Sequence, residues 1–479
     1  AAEAGEEDVD IFVDDEEDSC EAPTDPLMAN RCGTLTGVFG EDELEEECED
    51  GQGGAMATAA AAAAEKKGGA GRGAEDEVDM PVPPVPAILP NTSKRQAIRE
   101  LMQKRADRKS SKLTQVLVYP TFASRSLEDP RKWTIQFRGW CFKPRVHSLK
   151  RRAAVYALAR ALRIRVGTPE YDMFIKRTSY FMVRNRKGRS VEFEICYDSP
   201  EDGEGRQCGV VRIPSPEVSD KYGHYDTWSA QDERELPEVV DQSMLASDAG
   251  PTTMSMRAVL DKWGTQANSQ IYFVPQRGWS IISDIDDTVK VTEVPTGAER
   301  ILSNTLLKDF VVVEGMQDLY QEWEKQGAAF HYVSSSPWQL QPYFQNFFDR
   351  VGLPGGSFHL KHFDIQNRKF FNIFQSSTKL KPDSIQRIMS YFPDRRFLLV
   401  GDAGEKDPEI YASILRANPD QIGHIFIRRV DGDQRTVESL KETFEGIPDH
   451  KWTTFFDPKE ILGNDGKLKL DQLAPLSTP

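Results

Sequence analysis

Between about residue 271 and residue 460, short apolar runs alternate with helical stretches, and this alternation constrains the fold more than any other feature of the chain. The runs 271–274 (IYFV), 279–282 (WSII), 328–333 (AAFHYV) and 397–400 (FLLV) have the length and character of buried strands. The stretches 316–326, 342–351 and 383–392 carry helical spacing. Strands and helices in this order predict an α/β domain, with parallel strands joined by crossover helices. In such sheets the active site lies beyond the carboxyl ends of the strands. The residues that directly follow each apolar run are therefore the candidates for chemistry.

After 279–282 comes Ser283-Asp284-Ile285-Asp286-Asp287-Thr288. Two carboxylates two residues apart at a strand end can serve as nucleophile and general acid/base. An acidic turn that solvates a strand end would look the same. After 328–333 comes Ser334-Ser335-Ser336-Pro337, where a hydroxyl and backbone N–H groups can take phosphoryl oxygens. Serine-rich turns are common, so the segment means little alone. After 397–400 comes Gly401-Asp402-Ala403-Gly404-Glu405-Lys406-Asp407-Pro408, with hard oxygen ligands that suit Mg²⁺. Between the last two, Lys379-Leu380-Lys381-Pro382 opens a helix, and a lysine there can pair with a phosphate and with the nucleophile. Each piece is modest. Acid pair, hydroxyl, lysine and acid pair in this order, at successive strand ends or helix starts, is not an arrangement that chance readily produces.

With these residues in place, the sequence resembles the haloacid dehalogenase-like superfamily, whose phosphatases carry DxDxT, seen here as Asp284-Ile-Asp286-Asp-Thr288. The stretches RGWSIISDIDDTVKVTEV, FHYVSSSPWQL and FLLVGDAGEKDPEIYA are similar to the actin-patch-associated phosphatidate phosphatase family. The likeness covers about residues 270–430, with a looser one over 113–230; the acidic start has no counterpart. The resemblance implies a Rossmann-like, parallel-sheet catalytic domain of haloacid dehalogenase type. It also implies Mg²⁺-dependent hydrolysis of phosphatidate to diacylglycerol at a membrane surface. Asp284 would be nucleophile and Mg²⁺ ligand. Asp286 would be general acid/base and lend its backbone carbonyl to the metal. Ser334, with Ser335 beside it, and Lys381 rather than Lys379 would hold the phosphoryl group. Asp402 would bind Mg²⁺, supported by Asp407. The family also implies a cytoplasmic protein, peripheral at membranes, at cortical actin patches.

The stretches 289–329 and 337–380 are largely used up by core elements, so no large cap is expected over the site. An open site suits a phosphate presented by a membrane or a protein, because small metabolites need enclosure. A DxDxT protein phosphatase, or a lipid- or SH3-binding adaptor with a secondary phosphatase domain, remains the alternative.

The remainder of the 479 residues reads as accessory. A net charge of −16 argues against a nucleic-acid binder, but the charge is uneven: the first fifty residues are intensely acidic and 94–190 is rich in Lys and Arg. Residues 1–90 read as a disordered acidic, low-complexity tail. Its end, from Pro81 to Pro90 (PVPPVPAILP), suits polyproline II, as a stiff spacer or an SH3 docking site. Residues 91–112 read as a basic amphipathic helix, lying on an anionic membrane or solvated. Residues 113–230 are expected to form a β-rich accessory domain: Trp133, Ile135 and Phe137 alternate with polar residues, as do Val191, Phe193, Ile195 and Tyr197. Residues 231–265 are assigned as linker, 266–465 as catalytic domain and 466–479 as a C-terminal tail. The six cysteines form no CxxC pair, which fits a reducing compartment. No apolar run reaches membrane-spanning length, and a segment upstream of Ala1 is left open.

Overall fold

The computed structural model describes residues 113–129, 131–144, 149–198, 208–214, 217–232, 250–260, 265–363, 379–463 and 468–473. The acidic tail, the proline-rich segment and the basic helix of 91–112 lie outside the described residues.

Strands β1 (Gln115–Val118), β2 (Thr121–Arg125), β3 (Lys132–Lys143), β4 (Arg184–Asn185), β5 (Val191–Asp198), β6 (Cys208–Pro214), β7 (His224–Asp232), β8 (Thr252–Leu260) and β9 (Thr265–Val274) form one nine-stranded sheet. β3 is its spine. β7 runs antiparallel along one edge of β3, while β2 and β1 share the other. The sheet curls over itself, because Phe137 of β3 stacks on Phe193 of β5 at 4.2 Å although three strands separate them in the sheet order. The inward residues of the alternating patterns, Trp133, Ile135, Phe137, Phe193 and Ile195, make its core. Between β3 and β4 a two-helix arm is inserted, α1 (Leu149–Ala161) and α2 (Pro169–Thr178). The hydroxyl of Thr168 caps α2 by accepting the Tyr171 N–H, and Pro169 needs no donor at that end.

Two expectations change here. The run 271–274 does not open the α/β part; it ends β9, antiparallel to β8 and parallel to β2. A four-residue run buried on both faces reads alike in either kind of sheet. The segment 231–265 is not simply a linker, since it contains β8. There Met254, Met256, Ala258 and Leu260 alternate inward, a pattern hidden by the polar, acidic residues that precede it.

The second sheet holds β10 (Trp279–Ser283), β11 (Ala329–Pro337), β12 (Ser357–Lys361), β13 (Arg396–Asp402), β14 (Ile422–Arg428) and β15 (Trp452–Phe455), all parallel, in the order β12-β11-β10-β13-β14-β15. The helices that matter for the site are α3 (Ala298–Leu302), α4 (Met316–Lys325), α5 (Gln341–Val351), α6 (Leu380–Ser390) and α7 (Asp407–Ala417). Successive strand residues face opposite ways. Ile281, Tyr332, Leu398 and Val400 pack with Tyr320, Trp323 and Phe344 of α4 and α5. Ile282, Val333 and Leu399 pack with Ile385, Ile388 and Tyr411 of α6 and α7. Burial on both faces explains the unbroken apolar runs. β10 lies between β11 and β13, so the three strands that carry the motifs are neighbours and end side by side.

Among the described residues no helix is long and apolar enough to cross a membrane. The connections from β10 to β11 and from β11 to β12 hold short helical elements and no separate domain among the described residues. The C-terminal stretch assigned as tail returns to the body: Leu470 is buried, and its N–H donates to Gln326 Oε1.

Candidate active site

Asp284 is the first residue beyond β10, and its N–H donates to the carbonyl of Val400 on β13, so its position is fixed by the sheet. Asp402 is the last residue of β13. Asp407 opens α7 and is turned back toward the strand. Gly401 makes that return possible, because a Cβ there would lie 2.3 Å from Asp407 Oδ2. Carboxylate oxygens of Asp284, Asp402 and Asp407 lie within 4.8 Å of one another, and all three residues are buried.

Lys381 enters from the first turn of α6, one residue inside the helix rather than ahead of it. Its Nζ stands 3.1 Å from Asp284 Oδ1, 2.9 Å from Glu405 Oε2 and 2.5 Å from Asp407 Oδ1. Lys379 is exposed at the helix start. Burial opposes the charge on Lys381, but Asp284, Asp407 and Glu405 outweigh it and push its pKa well up, so it is held as a cation.

One lysine does not balance four buried carboxylates. Burial raises the Asp284 carboxyl well above the usual range; Lys381 pulls against this, while Asp407, Glu405 and Asp402 add to it. Asp402 is raised likewise by burial and then by Asp407 and Glu405. Their oxygens are also short of donors. Neither oxygen of Asp284 accepts a hydrogen bond, although Lys381 is within ion-pair distance of one. Asp402 Oδ1 accepts the N–H groups of Gly404 and Glu405, and its Oδ2 accepts none. Clustered hard oxygens with free acceptor capacity and excess negative charge fit a divalent cation.

Asp286 belongs to a different set of contacts. Its Oδ1 accepts from Lys290 Nζ at 2.8 Å and Thr292 Oγ1 at 2.7 Å; its Oδ2 accepts from Ser336 Oγ at 2.7 Å and Ser334 Oγ at 3.1 Å. Burial raises its pKa, but the Lys290 charge and the donors Lys290, Ser336 and Thr292 together bring it down to about 2. The side chain of Asp286 therefore lies outside the three-carboxylate cluster and is a fully engaged carboxylate. Asp287 faces away from both sets. It adopts a left-handed φ of 53°, and its carboxylate accepts the N–H groups of Thr292, Glu293 and Val294, which ties down the loop beside the site.

The structure thus brings Asp284, Lys381, Asp402 and Asp407 together, and places Ser334 in the separate set around Asp286. Ser335 is half-buried. Sequence reasoning overlooked Glu405, Lys290, Thr292 and Ser336. Glu405 sits inside a motif already noted, but in sequence it is one acid in a polar loop. Lys290, four residues beyond Asp286 and wholly buried, carries no sequence sign of its burial.

Residues 279–429 match the family model described as the catalytic domain of phosphatidate phosphatase APP1. A protein of Schizosaccharomyces pombe described as uncharacterized is 38% identical over 168 residues, 34% of this chain and 27% of that protein. Phosphatidate phosphatase APP1 of Saccharomyces cerevisiae is 32% identical over 173 residues, 36% of this chain and 29% of that protein. The matched segments thus span less than a third of either relative. Among solved structures, a Photobacterium 2,6-sialyltransferase overlaps 55% of this chain and 44% of its own, with 8% identity and a TM-score of 0.18, too low to bear on the fold.

Proposed function

We propose that this chain, which carries over residues 279–429 a catalytic domain of the phosphatidate phosphatase family, hydrolyses phosphatidate to diacylglycerol and phosphate in a Mg²⁺-dependent reaction at a membrane surface. The observation that carries the reading is the buried trio Asp284, Asp402 and Asp407 beside Lys381, at the carboxyl ends of adjacent parallel strands. The same arrangement supports assigning the α/β part to the haloacid dehalogenase type.

Asp284 is the nucleophile. Its carboxylate forms a bond to phosphorus as the ester P–O bond breaks, and Lys381 offsets charge on the phosphoryl oxygens and orients Asp284. Asp284, Asp402 and Asp407, with the backbone carbonyl of Asp286, would hold Mg²⁺, which when bound would supply positive charge to the transferring group. Asp286 delivers a proton to the leaving alkoxide, and then takes one from the water that cleaves the aspartyl phosphate. Its four donors favour the ionised, base form. The acid step requires Ser334 and Ser336 to exchange Asp286 for phosphoryl oxygens, which removes two of the four. Ser334 thereby binds phosphate.

The short connections that follow β10 and β11 among the described residues support a substrate presented by a surface. Purified protein is mixed with phosphatidate in phosphatidylcholine vesicles, or with phosphopeptides, in Mg²⁺ or EDTA. Phosphate release from the vesicles, lost in EDTA, is expected. Release from phosphopeptides alone would make the domain a protein phosphatase, and full activity in EDTA would refute the metal assignment.

A further inference from the structure

The α1–α2 arm is set apart from the rest of the protein by charge. Residues 149–178 contain eight Lys or Arg against two acids, Glu170 and Asp172, in a chain whose net charge is −16. Arg152, Arg160, Arg163, Arg165 and Lys176 are exposed. Three large apolar side chains are exposed among them: Tyr156 at 50%, Val166 at 61% and Ile175 at 37%. A soluble helix pair has no need of that combination. An interface with anionic headgroups and acyl chains uses both parts of it.

The arm also packs against segments that follow the strands carrying the site. Arg177 of α2 donates to the carbonyl of Thr305 at 2.7 Å and lies 4.0 Å over the ring of Phe310. That segment continues from the 292–294 loop held by Asp287. Tyr343, in the first turn of α5 just after Ser334 and Ser336, donates to the carbonyl of Lys176 at 2.6 Å. Phe181, beyond α2, meets Phe363, two residues past the end of β12. All these contacts fall on segments that leave the carboxyl ends of β10, β11 and β12.

We infer that the α1–α2 arm is a docking surface for an anionic lipid bilayer and holds the mouth of the active site against the membrane. Headgroup phosphates and carboxylates pair with the exposed arginines, and Tyr156, Val166 and Ile175 enter the headgroup boundary. The second half of this statement, that docking presents substrate, rests on the lipid phosphatase reading; the docking itself does not.

The test uses the full chain and sedimentation with vesicles of phosphatidylcholine, alone or mixed with phosphatidylserine, which offers negative charge but no phosphomonoester to cleave. Wild type should sediment with the anionic vesicles, less so as salt rises. The triple variant Arg160→Gln, Arg163→Gln, Arg165→Gln should lose about a hundredfold in partitioning. Tyr156→Ser with Val166→Ser should weaken binding as well. Both should hydrolyse a water-soluble, short-chain phosphatidate within about twofold of wild type, because the altered side chains are exposed and distant in role from the carboxylates. Wild type that ignores phosphatidylserine, or a triple variant that binds as wild type does, overturns the proposal. Loss of heparin binding in the triple variant without any loss of vesicle binding would instead assign the arm to a soluble acidic partner. Docking that follows the arginines in a protein inert toward phosphatidate would uphold the arm and refute the substrate.

Discussion

Lys381→Met removes the one lysine set among four buried carboxylates, and the consequences differ for stability, metal affinity and turnover. The lysine side chain is 2% exposed and reaches Asp284, Glu405 and Asp407 at 3.1, 2.9 and 2.5 Å. Methionine fills nearly the same space, so the loss is one of charge. Removing one partner of a buried ion pair costs about 3–5 kcal/mol, and denaturant unfolding in EDTA at pH 8 should show a deficit of that order. The deficit should shrink toward pH 5. Asp284 and Asp402 have raised folded-state pKa values, so their contribution to stability is full below the ordinary carboxylate pKa and is lost as pH rises through the folded value. Protonation at low pH therefore relieves the crowding that the lysine relieves at high pH. Mg²⁺ should bind the variant more tightly than wild type, because a competing positive charge is gone, and at a hundred times its Kd it should restore about 2.7 kcal/mol. Turnover should nonetheless fall by at least about a hundredfold, since a charge that stabilises the phosphoryl oxygens is missing. Unfolding curves in EDTA and in Mg²⁺ at two pH values, with calorimetric Mg²⁺ titration, read all of this. Equal stability of variant and wild type in EDTA at pH 8, or weaker Mg²⁺ binding by the variant, would show that the four carboxylates do not form one electrostatic unit.

Asp284→Asn and Asp286→Asn should each lower phosphate release by about a thousandfold or more while the protein stays folded; activity within tenfold of wild type in either would sink the assigned roles. Gly401→Ala should destabilise by about 1–3 kcal/mol and weaken Mg²⁺ binding, because the new methyl group meets Asp407 Oδ2 and Tyr411; an unchanged melting temperature and Mg²⁺ affinity would contradict the close packing there. Deleting residues 1–75 removes all of the chain's acidic excess and should strengthen sedimentation with anionic vesicles at low salt, since an acidic tail competes for the same cations; equal binding of both forms would show that the tail is no electrostatic brake.

Several of the chain's local facts were set by sequence alone. Strands buried on both faces must be unbroken apolar runs, so 279–282, 328–333 and 397–400 were legible, and with them the positions of Asp284 and Asp402 at strand ends; Ser334 instead lies inside β11, which runs on to Pro337. The choice of Lys381 over Lys379 agrees with the helix placing Lys381 inward and Lys379 outward. Tertiary structure decided what depends on neighbours distant along the chain. The run 271–274 joined the antiparallel sheet because β8 and β2 were there to receive it. Lys290, a polar residue in a polar loop by sequence, became a buried partner of Asp286 because Phe310 and the returning chain enclose it. Asp284 and Asp286, two residues apart, were separated into a metal-type cluster and a hydroxyl-bonded carboxylate because the chain leaves β10 at Ser283 and the alternation of a strand no longer governs where side chains point. Sequence fixes the order of groups along the backbone and their local periodicity. Which charges share a dry volume, and hence their protonation and their demand for a cation, is set by the packing of strands and helices far apart in the chain.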